Sequence, residues 1–208
     1  LCTSEYLDCH AQQLDYVMQH LQPSDSAVVD LASGRGTLAR RLLAELRTPV
    51  VVTDFSLPVL RRDLRWFRSL GLDERLSLLG FDARRAPFRD GAVRTLVTNL
   101  GLPNIESPGE LLLELRRVVS GELLAICHFY PEDDGVNGEA IEAAGLGQML
   151  YRDRLLEALA DAGWRASVES VCTGRAAPTP EGVLLEGARI DRLPLAPTTL
   201  EWCVLVCT

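Results

Sequence analysis

The stretch "VVDLASGRGTLARRLL", residues 28–43, decides the fold of this chain. An apolar run ends at Asp30, small residues and the glycines Gly34 and Gly36 follow, and apolar residues then recur at helical spacing. The order strand, glycine turn, helix is typical of α/β proteins that bind a nucleotide or nucleoside at the turn. The sequence therefore predicts a ligand beside residues 32–36, at the carboxyl end of the first strand.

Length and charge narrow the possible functions. The chain has 208 residues, 47% of them hydrophobic and 24% charged, which predicts one globular domain over residues 1–208. Its net charge of -8 makes nucleic acid an unfavourable partner. The basic stretch "RRDLRWFR", residues 61–68, is interpreted as the solvated face of a helix. The composition does not distinguish a monomer from an oligomer.

The six cysteines indicate a reducing compartment rather than a disulfide framework or a metal site. They form no Cys-x-x-Cys pair and no metal-ligand spacing with histidine, so we predict no metal. Four of them lie in or beside strand-like runs, where a free thiol packs as a small hydrophobe. With no apolar run near 18 residues and no visible signal peptide, we expect a cytoplasmic protein without a membrane segment.

Apolar spacing predicts strands that alternate with helices. Helices are expected at 4–21, 36–46, 57–70, 108–119 and 151–162, and strands at 27–31, 49–55, 75–82, 93–100, 122–130, 165–174 and 200–208. The strands are continuously apolar, which favours a mostly parallel sheet covered on both faces. No helix-length segment separates the last two strands, so one of them is expected to run antiparallel near the sheet edge. The fold class is therefore α/β, a three-layer Rossmann-like arrangement with seven strands.

Several local features carry their own expectations. The first helix should bury Leu7, Leu14, Val17 and Leu21 and end before Pro23 and Ser24, while Gly71 and Gly121 should end later helices. Residues 131–148 are acidic and rich in glycine, which predicts a loop or lid and not a core element. Residues 175–198 form an insert before the last strand, with 182–190 a candidate hairpin arm.

Two further carboxylates follow strands on the same side of the predicted sheet. Asp54 ends the second strand, 18 residues after Gly36, and its two oxygens match the two hydroxyls of a ribose. Asp82 follows the third strand and could accept a hydrogen bond from the exocyclic amine of a base. Structural interpretations stay open: Asp30 and Asp82 as turn residues, and Asp54 as a helix cap, although Ser56 suits that position better.

Two ligand classes fit this pattern. "GRGTLA", residues 34–39, formally matches the G-x-G-x-x-G/A pattern of dinucleotide sites, with an acidic residue about 20 positions later. Three residues, however, separate Asp30 from Gly34, and a carboxylate at that strand end would repel a pyrophosphate. The position suits a cationic ligand better, and S-adenosylmethionine carries a sulfonium and an ammonium.

The chain resembles the class I S-adenosylmethionine-dependent methyltransferases. The resemblance rests on "VVDLASGRGTLARRL", "VVVTDFSLPVL", "GFDARRAPFRDGAVRTLVTN" and the closing strands, in the order typical of that family, over roughly residues 24–164 and the final strand. It implies S-adenosylmethionine as cofactor and a single methyltransferase-like domain. Outside that range, we expect an N-terminal helix, residues 1–22, to cover the site.

The resemblance also implies roles for individual residues. The methionyl part of the cofactor would be held by Asp30 and by the backbone of Ala32, Gly34 and Gly36. Asp54 would bind the ribose with Phe55 beside the adenine, Asp82 and the backbone of Ala83 would bind the adenine edge, and Asn99 and Leu100 would line the site near the methyl group. The family usually has glycine where this chain has Ala32, and alanine suits that position only if its φ is negative.

Candidates for a general base are few. His128 follows the fifth strand with Tyr130 two residues on, and is the predicted catalytic residue if the acceptor needs one. His10 and Tyr6 lie four apart on the first helix, so they share a face; His10 and His20 are less favoured bases. The predicted function is methyl transfer to a small-molecule acceptor. The alternatives are an adenosyl-binding protein without transfer activity and, less favoured, a nicotinamide oxidoreductase.

Overall fold

The computed structural model describes residues 3–21, 26–180, 182–183 and 187–208. Its strands are β1 (Val28–Asp30), β2 (Val50–Asp54), β3 (Leu76–Gly80), β4 (Val93–Asn99), β5 (Val119–Phe129), β6 (Ala166–Ala176) and β7 (Thr198–Cys207). They form one sheet in the order β3-β2-β1-β4-β5-β7-β6. The first five strands are parallel, and β7 runs antiparallel to both neighbours. This confirms the predicted fold class.

Helices cover both faces of the sheet. They are α1 (Ser4–His20), α2 (Thr37–Glu45), α3 (Leu57–Ser69), α4 (Pro108–Val118), α5 (Gly135–Ala143), α6 (Gly147–Leu150) and α7 (Arg152–Asp161), with short 3-10 turns at Ala83–Arg85 and Leu102–Asn104. One core cluster lies under α1, α2 and α3, and the other lies under α4 and α7. Both faces of the central strands are therefore buried, as their continuous apolar runs predict.

Local chemistry sets several helix ends. The Thr3 hydroxyl accepts a hydrogen bond from the Tyr6 N–H at 3.1 Å and so caps α1. Pro58 lies in the first turn of α3, and Gly71 follows that helix with φ +68°, so the prediction that Gly71 ends a helix is confirmed. Helix α1 ends at His20; Pro23 and Ser24, which were expected to stop it, lie outside the described residues.

Two predictions from spacing are wrong. Leu7 is 52% exposed, while Leu14, Val17 and Leu21 are buried as expected. Gly121 does not end α4, which stops at Val118, three residues earlier; it lies within β5. A Cβ at Gly121 would collide with the Arg94 carbonyl of β4, so the glycine permits a close approach of two strands and not a helix end.

Residues 131–148 contain core positions, contrary to the prediction of a loop or lid only. They contain α5 and the start of α6, and Ile141 and Leu146 are almost completely buried. Glycine and acidic residues occupy the exposed positions of this segment, which is why composition alone was misleading. Whether the segment moves as a lid stays a prediction.

The insert between β6 and β7 is attached to α5 through one buried side chain. Asn137 has no exposed surface, and its Oδ1 accepts hydrogen bonds from the N–H groups of Leu195 (2.7 Å) and Ala196 (3.2 Å). Its Nδ2 donates to the Ala196 carbonyl at 3.1 Å. The candidate hairpin arm at 182–190 falls partly outside the described residues, and its described residues form turns and not a strand. In the part of the chain that is described, no helix is both long and apolar enough to cross a bilayer.

Candidate functional site

The candidate site lies where the parallel strands end. Asp30, Asp54 and Asn99 are the last residues of β1, β2 and β4, three neighbouring strands, and Asp82 follows β3 by two residues. Because these strands are parallel, their carboxyl ends share one edge of the sheet, as ligand sites of open α/β sheets do. The sequence-predicted carboxylates therefore do come together.

Residues 31–36, the glycine loop, form a strained turn at this edge. The Ser33 N–H donates to the Thr53 carbonyl at 2.9 Å, and the Gly34 N–H donates to Asp54 Oδ2 at 3.1 Å. Gly34 and Gly36 have φ values of +51° and +65°, a conformation that favours glycine. A Cβ at Gly36 would also lie 2.9 Å from Phe67 Cζ of α3. Position 36 therefore requires glycine for two reasons, its positive φ and the lack of space for a Cβ.

Ala32 departs from the family pattern and is strained. Its φ is +51°, so the condition under which alanine suits this position is not met. A left-handed backbone costs a non-glycine residue about 1–2 kcal/mol. The loop keeps its shape because its other backbone groups are held by Thr53 and Asp54.

Asp30 lies beneath the loop and not in the open cavity. It is 1% exposed, and neither carboxylate oxygen has a hydrogen-bond partner. Burial, followed by the nearby charges of Asp63 and Asp54, raises its pKa well above the usual value. The raised pKa favours the neutral acid of Asp30, and a cationic group nearby would favour its ionised form.

Asp54 organises two loops at once. Its Oδ1 accepts from the Ser56 N–H at 2.8 Å while its Oδ2 accepts from Gly34. Ser56 is the N-cap residue of α3 but makes no side-chain cap hydrogen bond, and Asp54 accepts from the Ser56 N–H and not from the first turn of the helix. A carboxylate has about four lone-pair sites, which leaves acceptor capacity for a ligand.

Asp82 is held by its neighbour Arg84. Arg84 Nη2 donates to Asp82 Oδ2 at 2.8 Å, and Arg84 Nε donates to Oδ1 at 3.0 Å. The Arg84 backbone N–H also donates to Oδ1, at 3.0 Å. The Arg84 guanidinium, followed by that backbone hydrogen bond, lowers the pKa of Asp82. A donor group on a ligand would therefore meet an ionised carboxylate.

An open cavity of about 500 Å³ lies between Asp54 and Asp82. Its wall includes the predicted residues Ala32, Gly34, Asp54, Phe55, Asp82 and Ala83. Phe55 is 80% exposed and offers an apolar face. Asp30, Gly36, Asn99 and Leu100 do not line this cavity. Sequence reasoning missed its far wall, formed by Asn104–Glu106 after β4 and by residues 187–189 of the insert.

A second group of polar and aromatic side chains lies where α1 crosses the end of β4. His10 Nε2 lies 2.9 Å from Asn99 Oδ1. Tyr6 packs edge-on against Trp202 with ring centroids 4.8 Å apart, and His128 packs against the same indole at 5.0 Å. Helix α1 thus brings His10 to the end of β4, and that this helix covers the cofactor site stays a prediction. His20 lies elsewhere, 3.0 Å from Glu122.

Both histidines of this group are held neutral. Burial lowers the pKa of His10, although its hydrogen bond to Asn99 opposes this. Burial and the proximity of His10 lower the pKa of His128 to about 4, and its Nδ1 has no hydrogen-bond partner. His128 is 7% exposed and packs against Tyr6 and Trp202, and it does not line the cavity beside Asp54 and Asp82. Its catalytic role stays a prediction.

The comparisons with known proteins agree with this geometry. Residues 29–125 match a family model described as a methyltransferase domain. A demethylmenaquinone methyltransferase of Clavibacter sepedonicus is 35% identical over 103 residues, which cover 49% of this chain and 40% of that protein. The chain therefore matches less than half the length of this curated relative.

Solved structures share the whole fold at low identity. The Bacillus subtilis protein YcgJ superposes with a TM-score of 0.73 and 13% identity, covering 95% of this chain and 98% of that one. A geranyl diphosphate C-methyltransferase of Streptomyces coelicolor A3(2), solved with S-adenosyl-L-homocysteine, superposes with a TM-score of 0.68 and 18% identity, covering 98% and 82%. These structures confirm the predicted fold, and the methyltransferase-domain match supports the resemblance predicted from the sequence.

Proposed function

We propose that the chain is a class I S-adenosylmethionine-dependent methyltransferase and that it transfers the methyl group of that cofactor to a small-molecule acceptor. The observation that carries this proposal is the cavity that Ala32, Gly34, Asp54 and Asp82 line at one sheet edge. The second candidate is a protein that binds the cofactor without transferring its methyl group. The strain at Ala32 is the observation that favours it.

The residues of the cavity fit an adenosyl ligand. Asp54 would accept the ribose hydroxyls, Phe55 would lie against the adenine, and Asp82 with the backbone of Ala83 would bind the adenine edge. The glycine loop would hold the methionyl part above the buried Asp30. When bound, the cofactor supplies an activated methyl group on a good sulfonium leaving group, so the protein has mainly to orient the acceptor.

The acceptor side would lie under α1. Asn99, Tyr6 and His10 meet at the end of β4, beside the aromatic rings of His128 and Trp202. Aromatic walls with a few polar groups are typical of small-molecule sites. A neutral histidine can accept a proton from an acceptor hydroxyl, and His128, as predicted, and His10 are the candidates. Leu100 at the end of β4 would lie between the two halves of the site.

Charge and comparisons support the small-molecule class. A net charge of -8 disfavours a polyanionic acceptor. The Clavibacter relative and the Streptomyces structure are named as methyltransferases of small molecules. We further propose a cytoplasmic setting from the five described cysteines, all of which are free thiols.

The test is turnover of methyl-labelled S-adenosylmethionine against a panel of small acceptors, including quinols, phenols and prenyl compounds. Label transferred to an acceptor and lost in Asp54→Ala supports the enzyme. Tight binding of S-adenosylmethionine with no transfer to any acceptor, protein or nucleic acid favours the second candidate. Transfer to RNA or protein alone would contradict the small-molecule proposal.

A further inference from the structure

The basic stretch 61–68 is not simply a solvated helix face. It lies on α3, which packs directly against the glycine loop: a Cβ at Gly36 would lie 2.9 Å from Phe67 Cζ and 3.4 Å from Trp66. Arg61, Arg65 and Arg68 are exposed, as the sequence interpretation predicts, but Arg62 is only partly so. Its side chain turns toward the loop.

Arg62 contacts the loop and a buried carboxylate at the same time. Its Nη2 donates to the Gly34 carbonyl at 2.5 Å. The same Nη2 and the Nε donate to Asp63 Oδ1 at 2.8 Å and 3.0 Å. Asp63 has no exposed surface, so the ion pair anchors the guanidinium to the body of α3. Charge-assisted hydrogen bonds of this kind are stronger than neutral ones.

The backbone of Gly34 is thereby held on both sides of its Cα, by Asp54 at the end of β2 and by Arg62 of α3. Asp54 accepts from its N–H, and Arg62 donates to its carbonyl. Gly34 has φ +51° and lines the cavity, so its orientation decides which backbone groups face a ligand. A glycine in this loop has little conformational preference of its own. Its geometry therefore depends on these two side chains.

We propose that Arg62 is a positioning residue for cofactor binding, acting through the backbone of Gly34, whose carbonyl it contacts. This inference rests on the proposed function, because it assumes that S-adenosylmethionine occupies the cavity. Arginine suits the role since its planar fork can donate to Gly34 and Asp63 together. Lysine would have to make every contact from one nitrogen and has no counterpart of the Nε contact to Asp63.

The test compares Arg62→Gln and Arg62→Lys with the matched control Arg65→Gln, whose side chain is exposed on the same helix. Binding of S-adenosylhomocysteine is measured by titration calorimetry, and unfolding of the ligand-free chain by circular dichroism. Arg62→Gln should raise the dissociation constant about tenfold at a temperature where the protein is fully folded. Arg62→Lys should lie between Arg62→Gln and the wild type, and Arg65→Gln should match the wild type.

A double-substitution cycle separates positioning from general stability. Asp54→Asn and Arg62→Gln act on the two backbone groups of the same residue, Gly34, so their effects on affinity should be non-additive. Wild-type affinity in Arg62→Gln, or a loss that is equal in Arg65→Gln, would overturn the proposal. If Arg62→Gln does not fold, wild-type affinity in Arg62→Lys overturns it instead. A wild-type chain that does not bind S-adenosylhomocysteine overturns the proposed function itself, and this inference with it.

Discussion

Replacing Gly36 by alanine tests the packing of the glycine loop against α3. Two penalties add at this position. A left-handed backbone costs alanine about 1–2 kcal/mol, of which about 0.4–1 kcal/mol is offset by the lower freedom of alanine in the unfolded chain. The new Cβ also lies 2.9 Å from Phe67 Cζ, and Phe67 is completely buried. Such overpacking costs about 1–3 kcal/mol, so we expect a total loss of about 3 kcal/mol.

Gly34→Ala is the matched control. Gly34 also has a positive φ, but a Cβ there would meet only the Ala32 carbonyl, at 3.9 Å. It should therefore show the backbone penalty alone, about 0.8 kcal/mol. For a chain of this size, the two losses correspond to drops in Tm of about 9 °C and about 2 °C. Urea titration followed by circular dichroism provides the free energies of unfolding.

Shortening Phe67 should relieve the overpacking. In the double variant Gly36→Ala with Phe67→Leu, the Cζ atom that opposes the new methyl is absent, so the combined loss should fall below the sum of the single losses by about 1–2 kcal/mol. Equal losses in Gly36→Ala and Gly34→Ala, together with additivity of the double variant, would refute the packing argument.

Four further predictions concern the loop, the site, the buried histidine and the insert. Ala32→Gly should raise the free energy of unfolding by up to about 1 kcal/mol, because it removes the strain at φ +51°. A lower Tm would contradict this. Asp54→Ala should weaken S-adenosylmethionine binding by about 1–3 kcal/mol in calorimetry, whereas Asp153→Ala, at an exposed position on α7, should not change it. His128 has a pKa of about 4 when folded, below its usual 6.5, so the unfolded chain binds the extra proton between these values. Stability should therefore fall by about 3 kcal/mol as the pH falls through that window, and the difference between wild type and His128→Gln in urea titrations should show it. Asn137→Ala leaves the N–H groups of Leu195 and Ala196 without their acceptor and should lower stability by about 2 kcal/mol; an unchanged Tm would mean that the insert is held by other contacts.

The strand–loop–helix units were predictable because their signals are local. A buried strand has a continuous apolar run, and the turn after β1 contains the two glycines that its positive φ values require. Asp54 and Asp82 could be placed at one sheet edge because parallel strands end together. The residues quoted for the family resemblance are these same local units.

The remaining features depend on contacts that sequence spacing does not encode. Gly121 has the pattern of a helix stop, but the nearby Arg94 carbonyl decides its role. Composition hid the buried side of α5, since Ile141 is flanked by acidic and small residues. The link from Arg62 to Gly34 joins residues 28 positions apart and could be found only in three dimensions.

The most direct test of the account is titration calorimetry of the purified chain with S-adenosylmethionine, S-adenosylhomocysteine and NADH. The carboxylates at the ends of β1 and β2 and the open face of Phe55 predict micromolar binding of the two adenosyl ligands and none of NADH. Binding of NADH alone, or of none of the three, would contradict the assignment of the cavity.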